Sequence, residues 1–154
     1  PPSNLDIAQC TLPRPEPAPS QPTAVGLSMM ATRSKHAAEA NGCSDAMMFD
    51  YRGYVAAATG ANIFFVKDGE VHTPKADAFL NGITRQTVIG MLRDKGLQVH
   101  ERVIMPEELE GFEQCWLTGT AAEVTPVGQI GDYNFEVGTI TREISEDYEK
   151  LVRA

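Results

Sequence analysis

Two short segments of the chain carry the residue types from which an anion site is built. Leu80-Asn81-Gly82-Ile83-Thr84-Arg85 runs from a glycine-containing loop into a helix start. The first N–H groups of a helix have no partner within it, and with a threonine hydroxyl beside them they suit a phosphate. Thr118-Gly119-Thr120-Ala121-Ala122 has small side chains throughout. Such a run lets successive backbone N–H groups converge on an anion. Taken alone, the first segment is more often an ordinary helix start and the second a tight turn between strands.

Other reactive side chains form no recognisable constellation. His36, His72 and His100 are far apart, and none has a ligand-type partner at helical spacing. His36 falls on an expected helix; His72 and His100 fall on expected strands and should face solvent. Ser28, Ser34 and Ser44 lack the Gly-x-Ser-x-Gly setting of an activated nucleophile. Met29, Met30, Met47 and Met48 read as core filler. Glu107, Glu108, Glu110 and Glu113 read as a solvated helix face and not as a metal site. Cys10, Cys43 and Cys115 form no CxxC pair, so neither a disulfide framework nor a zinc site is expected, and a reducing, cytoplasmic setting follows by default.

The elements that must position the two segments can be read from local pattern. Leu5–Leu12 reads as a short strand, and Pro13–Pro22 holds five prolines in ten residues, which forbids a helix and favours an extended connector. Residues 1–25 therefore form a strand and a proline-rich lead-in, and residues 26–154 the domain. A helix is expected from Gly26 to Ala40, closed at Asn41-Gly42. Ala46–Asp50 and Tyr54–Ala57 read as strands. Asn62–Val66 and Glu70–Thr73 flank Lys67-Asp68-Gly69, a hairpin signal. A second helix should span Thr84–Lys95 with Gly96 as its stop. Leu97–Ile104, Cys115–Thr118 and Glu123–Val127 read as strands, and Pro106 opens a short helix. Thr139–Val152 reads as a charged amphipathic helix. Strands and helices are mixed without a regular βαβ beat. The expected fold is α+β: a twisted, mostly antiparallel sheet or partial barrel with flanking helices.

Composition narrows the function classes. At 154 residues the chain predicts one domain, able to bury roughly 70% of its unfolded surface. Hydrophobic residues make up 42% and charged residues 22%, a globular balance. Thirteen basic against 21 acidic residues give a net charge of −8, which argues against nucleic acid or an acidic membrane surface as partner. No apolar run approaches the roughly 20 residues of a membrane span. The N-terminus lacks the basic start and apolar core of a signal peptide, and a chain opening on two prolines and a strand reads as a fragment.

Several motifs, in order, carry a family resemblance. They are Gly53-Tyr54-Val55-Ala56-Ala57-Ala58-Thr59-Gly60-Ala61-Asn62-Ile63-Phe64-Phe65, then Val71-His72-Thr73, then Leu80-x-Gly82-Ile83-x-Arg85, and Gly119-Thr120-Ala121-Ala122-Glu123-Val124-Thr125-Pro126. This set resembles class IV (fold type IV) pyridoxal-phosphate aminotransferases, with the branched-chain amino-acid enzymes most similar. The resemblance runs from about Ser3 to Tyr148 and covers the larger, C-terminal domain only, so the chain would be truncated relative to a whole enzyme. It implies pyridoxal phosphate as cofactor, held by Leu80, Gly82, Ile83 and Thr84, with the Ile83 and Thr84 N–H groups and the Thr120 hydroxyl on the phosphate. It implies that Ala121 and Ala122 offer N–H groups to a substrate carboxylate. Amino transfer between a branched-chain amino acid and 2-oxoglutarate, and a homodimer, would follow. D-amino-acid aminotransferase or aminodeoxychorismate lyase chemistry are alternatives on the same scaffold.

The resemblance also exposes three departures. The Schiff-base lysine should lie shortly before Gly26, where Thr23-Ala24-Val25-Gly26 holds none, and Lys35 does not match its position. The glutamate that keeps the pyridine nitrogen protonated falls at Ala57, and a usual tyrosine falls at Ser28. Without the lysine there is neither covalent attachment nor a proton carrier, and without the acid the ring stabilises a carbanion less. The expectation is a catalytically impaired domain. The alternative is a non-catalytic binding or interaction domain that retains the phosphate pocket.

Overall fold

Ile63-Phe64-Phe65-Val66 has no polar alternation, the pattern of a strand buried on both faces. In the structure, a computed structural model that describes residues 3–11, 40, 45–50, 52–58, 61–76, 81–120 and 123–153, that is where the run lies. Strand β4 (Asn62–Lys67) sits between β5 (Glu70–Pro74) and β7 (Gln114–Gly119), antiparallel to both. Ile63 and Phe65 enter one apolar cluster and Phe64 and Val66 another, all fully buried.

Nine strands among the described residues form one mixed sheet. The others are β1 (Ser3–Thr11), β2 (Asp45–Phe49), β3 (Val55–Ala58), β6 (Val99–Arg102), β8 (Glu123–Ile130) and β9 (Tyr133–Asn134). The order is β3-β2-β1-β8-β7-β4-β5-β6, with β9 beside β8. β1 runs parallel to both β2 and β8, and β5 parallel to β6; the other pairs are antiparallel. The sheet curls until its ends meet: the Val55 N–H donates to the Ile104 carbonyl, just past β6, at 2.9 Å. Met47, Val55, Ile63, Leu117, Val127 and Ile104 belong to one cluster although they span the whole strand order. That requires them to share the concave face. Helices α1 (Ile83–Asp94) and α2 (Thr139–Val152) cover the convex face through Val88, Ile89, Leu92 and Ile144. The expected curled α+β sheet with flanking helices is what the chain forms.

Local chemistry explains the boundaries. Asp68 and Gly69 turn the β4–β5 hairpin with φ of 53° and 76°, the left-handed pair of a tight two-residue turn. Gly96 stops α1 with φ of 84°; its N–H reaches Arg93 O and the Leu97 N–H reaches Leu92 O. These two bonds form a Schellman stop. They also shorten the strand expected over Leu97–Ile104 to Val99–Arg102, because Leu97 is used in closing the helix. The short helix at Pro106 is a 3₁₀ turn, Pro106–Gly111, capped by Glu108 accepting from the Met105 N–H at 2.7 Å. β8 extends three residues beyond its expected end, where β9 pairs with it. The helix expected at Gly26–Ala40 and the proline-rich connector lie outside the described residues, Ala40 apart.

Candidate functional site

α1 starts without a cap. Gly82 is its N-cap residue, no side-chain cap bond is made, and no acid stands in the first turn. Among the described residues no side chain accepts from the N–H groups of Ile83, Thr84 or Arg85. α2 shows the contrast. There, although Gly138 is likewise an N-cap without a side-chain bond, Gln114, buried on β7, accepts from both the Thr141 N–H (3.0 Å) and the Thr141 hydroxyl (2.7 Å), so one donor of the first turn is satisfied from the sheet. An uncapped first turn with no acid leaves donors and positive dipole for an anion.

Asn62 holds this helix start to the sheet. The Gly82 N–H donates to Asn62 Oδ1 at 3.3 Å, and a Cβ on Gly82 would lie 2.8 Å from the same oxygen. That position therefore needs glycine for a close approach, although its φ of −63° and ψ of 151° suit any residue. Asn62 pairs with Thr118 across β4 and β7. Thr118 is fully buried and its hydroxyl has no hydrogen-bond partner among the described residues, an orphan polar atom on the face that carries α1. β7 then runs through Gly119 into Thr120, which is exposed. The two sequence segments thus meet through one residue pair, Asn62 and Thr118.

The remaining expected positions divide. Ile83 is 83% exposed and Thr84 is buried. Ala57 lies on β3, 7% exposed and opposite Met48, itself buried. Their neighbours Ala58 and Met47 belong to the concave core, so Ala57 and Met48 lie on the convex face, as Asn62 does. The tight Ala58–Ala61 bridge brings Ala57 within one turn of Asn62. Leu80, Ala121, Ala122, Ser28 and the stretch Thr23–Gly26 lie outside the described residues.

Charge near the cradle comes from Arg85, 1% exposed in the first turn of α1. Its guanidinium donates to Asn81 Oδ1 (2.8 Å), the Pro74 carbonyl (2.9 Å) and Glu101 (3.1 Å). Burial pulls its pKa below the ordinary arginine value and Glu101 opposes that shift. On the opposite face of β5 and β6, His72 and His100 are partly exposed, the His100 side chain at 40%. Their rings stack at 4.9 Å, Arg102 donates to His72 Nδ1, and Glu70 holds His100. Glu108 departs from the expected solvated face by taking Arg102 at 2.6 Å. Met47 and Met48 are core residues, as read from sequence.

A curled sheet with helices on its convex face, and an uncapped helix start set against a Gly-Thr loop, define an α+β domain built around a candidate anion cradle. The chain belongs to the class IV aminotransferases, whose family pattern it matches over residues 1–130. It is 42% identical over 154 residues to a probable branched-chain-amino-acid aminotransferase of Rickettsia conorii, covering 97% of this chain and 53% of that protein. Among solved structures it superposes on the branched-chain aminotransferase of Thermoproteus uzoniensis with norvaline. There the TM-score is 0.89 and identity 32%, covering 98% of this chain and 51% of that one. It also superposes on an aminotransferase from Brucella abortus bound to the cofactor PLP, with TM-score 0.87, 31% identity and coverage of 99% and 55%. The chain spans about half the length of these relatives.

Asn62, Thr118 and Arg85 stand in the segments and motifs read from sequence, but the sequence alone assigns no role to any of them. The available signal is chemical. Asn is disfavoured in strands, yet Asn62 opens one whose next four residues are apolar; Arg85 opposes the dipole in the first turn of its helix.

Proposed function

We propose that this chain is the cofactor-binding portion of a branched-chain-type amino-acid aminotransferase. It holds pyridoxal phosphate by its phosphate and is not competent for amino transfer as written. The observation that carries this reading is the uncapped α1 start held open by Gly82 against Asn62. The Ile83 and Thr84 N–H groups would donate to the phosphate, with hydroxyls from Thr84 and Thr120, and Leu80 and Gly82 would complete the contact. Each hydrogen bond to a charged group contributes about 1.5–3 kcal/mol. Ala121 and Ala122 would offer N–H groups to the carboxylate of an amino acid or 2-oxo acid. When bound, the cofactor supplies the electron sink for amino transfer.

The residues fit the phosphate end of such a cofactor and not its ring-nitrogen end. Ala57, where the family resemblance implies a glutamate, is apolar, buried and faced by Met48. The same observation favours the second reading, a binding domain that keeps the pocket without the chemistry. Titration with pyridoxal phosphate and with pyridoxal, followed by borohydride and intact mass, tests the proposal. Saturable, phosphate-dependent binding without a stoichiometric mass gain is expected. Failure to bind either compound would refute the cofactor role; a stoichiometric adduct would refute the impairment.

A further inference from the structure

We propose that Arg85 is the positioning residue of the cradle: its buried guanidinium holds the Asn81–Gly82 turn against the end of β5, so that the Ile83 and Thr84 N–H groups are presented to a phosphate. The inference deepens the cofactor-binding reading above and rests on it.

The geometry is specific. Arg85 is among the largest fully buried side chains of the protein, although a cation in a helix's first turn opposes the macrodipole. Its partners belong to three different segments: Asn81 before the helix, the Pro74 carbonyl at the end of β5, and Glu101 on β6. Asn81 is held again from the helix, where Gln86 Nε2 donates to its carbonyl at 3.0 Å. Asn62 holds Gly82 from the opposite side. The turn is thus tied from β4, β5 and α1, and none of these ties uses the N–H groups of Ile83 or Thr84. A planar guanidinium reaches three acceptors at once; a lysine ammonium, a single point on a flexible stem, cannot span them. Arg85 also keeps its charge beside the cradle while Glu101, which shares it with Arg93, is partly exposed.

The test compares Arg85→Lys and Asn81→Ala with the wild-type chain. The probes are pyridoxal phosphate and pyridoxal, titrated in parallel, with amide shifts of Gly82, Ile83 and Thr84 recorded without ligand. In both variants the affinity for pyridoxal phosphate should fall about tenfold or more, the weaker binding of pyridoxal should hold, and the three amide resonances should move. Some loss of melting temperature is expected either way, since Arg85 ties α1 to the sheet; a purely structural role would weaken both compounds in proportion, which overturns the inference. So does wild-type binding in both variants. A wild-type chain that binds neither compound overturns the cofactor reading and this inference together. Should Arg85→Lys fail to fold, Asn81→Ala decides alone, since Asn81 is exposed and loses only the Arg85 acceptor.

Discussion

Replacing Gly82 with alanine tests the close approach on which the site depends. Alanine suits the backbone there, with φ of −63° and ψ of 151°, so the gain from a stiffer unfolded chain is about 0.4–1 kcal/mol. Against that, the new methyl carbon would sit 2.8 Å from Asn62 Oδ1, closer than such contacts occur. Asn62 must move, and the Gly82 N–H loses its acceptor, a loss of about 0.5–1.5 kcal/mol. Overpacking against a residue only 8% exposed costs about 1–3 kcal/mol more. The net destabilisation is about 1–3 kcal/mol, a fall in melting temperature of about 3–10 °C for a chain of this size. Gly90 supplies the control on the same helix. It is exposed, nothing lies within 4 Å of a Cβ placed there, and alanine should stabilise by about 0.5–1 kcal/mol. Differential scanning calorimetry of both variants reads the sign directly. If Gly82→Ala melts at or above the wild-type temperature alongside Gly90→Ala, the approach of Gly82 to Asn62 is not what shapes this helix start.

Other expectations follow from single contacts. Gln114→Ala should destabilise by about 2–3 kcal/mol, because two donors of Thr141 lose their shared acceptor inside the protein. Hydrogen exchange should rise first in the opening turn of α2, and uniform exchange would contradict the capping role. Ala57→Glu should melt lower at neutral pH without ligand, since a carboxylate enters a buried apolar position. Pyridoxal phosphate should recover more of the midpoint in that variant than in the wild-type chain, and equal recovery would count against Ala57 lying at the ring nitrogen. For pH, burial and then the charges of Arg102 and His100 hold the His72 pKa below its ordinary 6.5. The unfolded chain then binds the proton first, so this contribution is full above about 6.5 and is lost as pH falls through the folded value. Glu108, lowered from 4.5 first by its bond to Arg102, works in the same direction further into acid. Urea midpoints measured against pH should fall on acidification, and His72→Gln should flatten the limb just below neutrality; an unchanged limb would assign it elsewhere.

What could be read before the structure was whatever local chemistry dictates. The Asp68-Gly69 turn, the Gly96 stop and the limits of α2 at Thr139 and Val152 depend on residues a few positions apart, and each was legible. The first segment of the site was legible as a helix start, since unpartnered N–H groups are a property of short sequence. The contacts that join it to the sheet were not. Asn62 reaches Gly82 across 20 positions and meets Thr118 across 56, and Arg85 collects partners from Pro74 to Glu101. Such pairings arise only when the sheet order is known, with β7 between β4 and β8. The same applies to His72 and His100. Each alone on a strand reads as solvent-facing, and only the parallel pairing of β5 with β6 stacks them beside Arg102.

The proposed site is unequal at its two ends, and the physics of burial gives a reason. The groups that would hold a phosphate also hold the fold. Gly82 and Asn62 fasten α1 to β4, Arg85 fastens it to β5 and β6, and the Ile83 and Thr84 N–H groups come from the helix itself. None of these can be lost without destabilising the convex face. An acid at position 57 is different. In a strand whose four residues are all buried, a carboxylate without a cationic partner is a liability to stability, and alanine removes it. If, as proposed, the chain does not carry the chemistry, an apolar residue at 57 adds stability while giving up the cradle would remove it. On the proposed reading, a kept phosphate end beside an apolar residue 57 is the combination expected when stability, and not turnover, decides which residues stay.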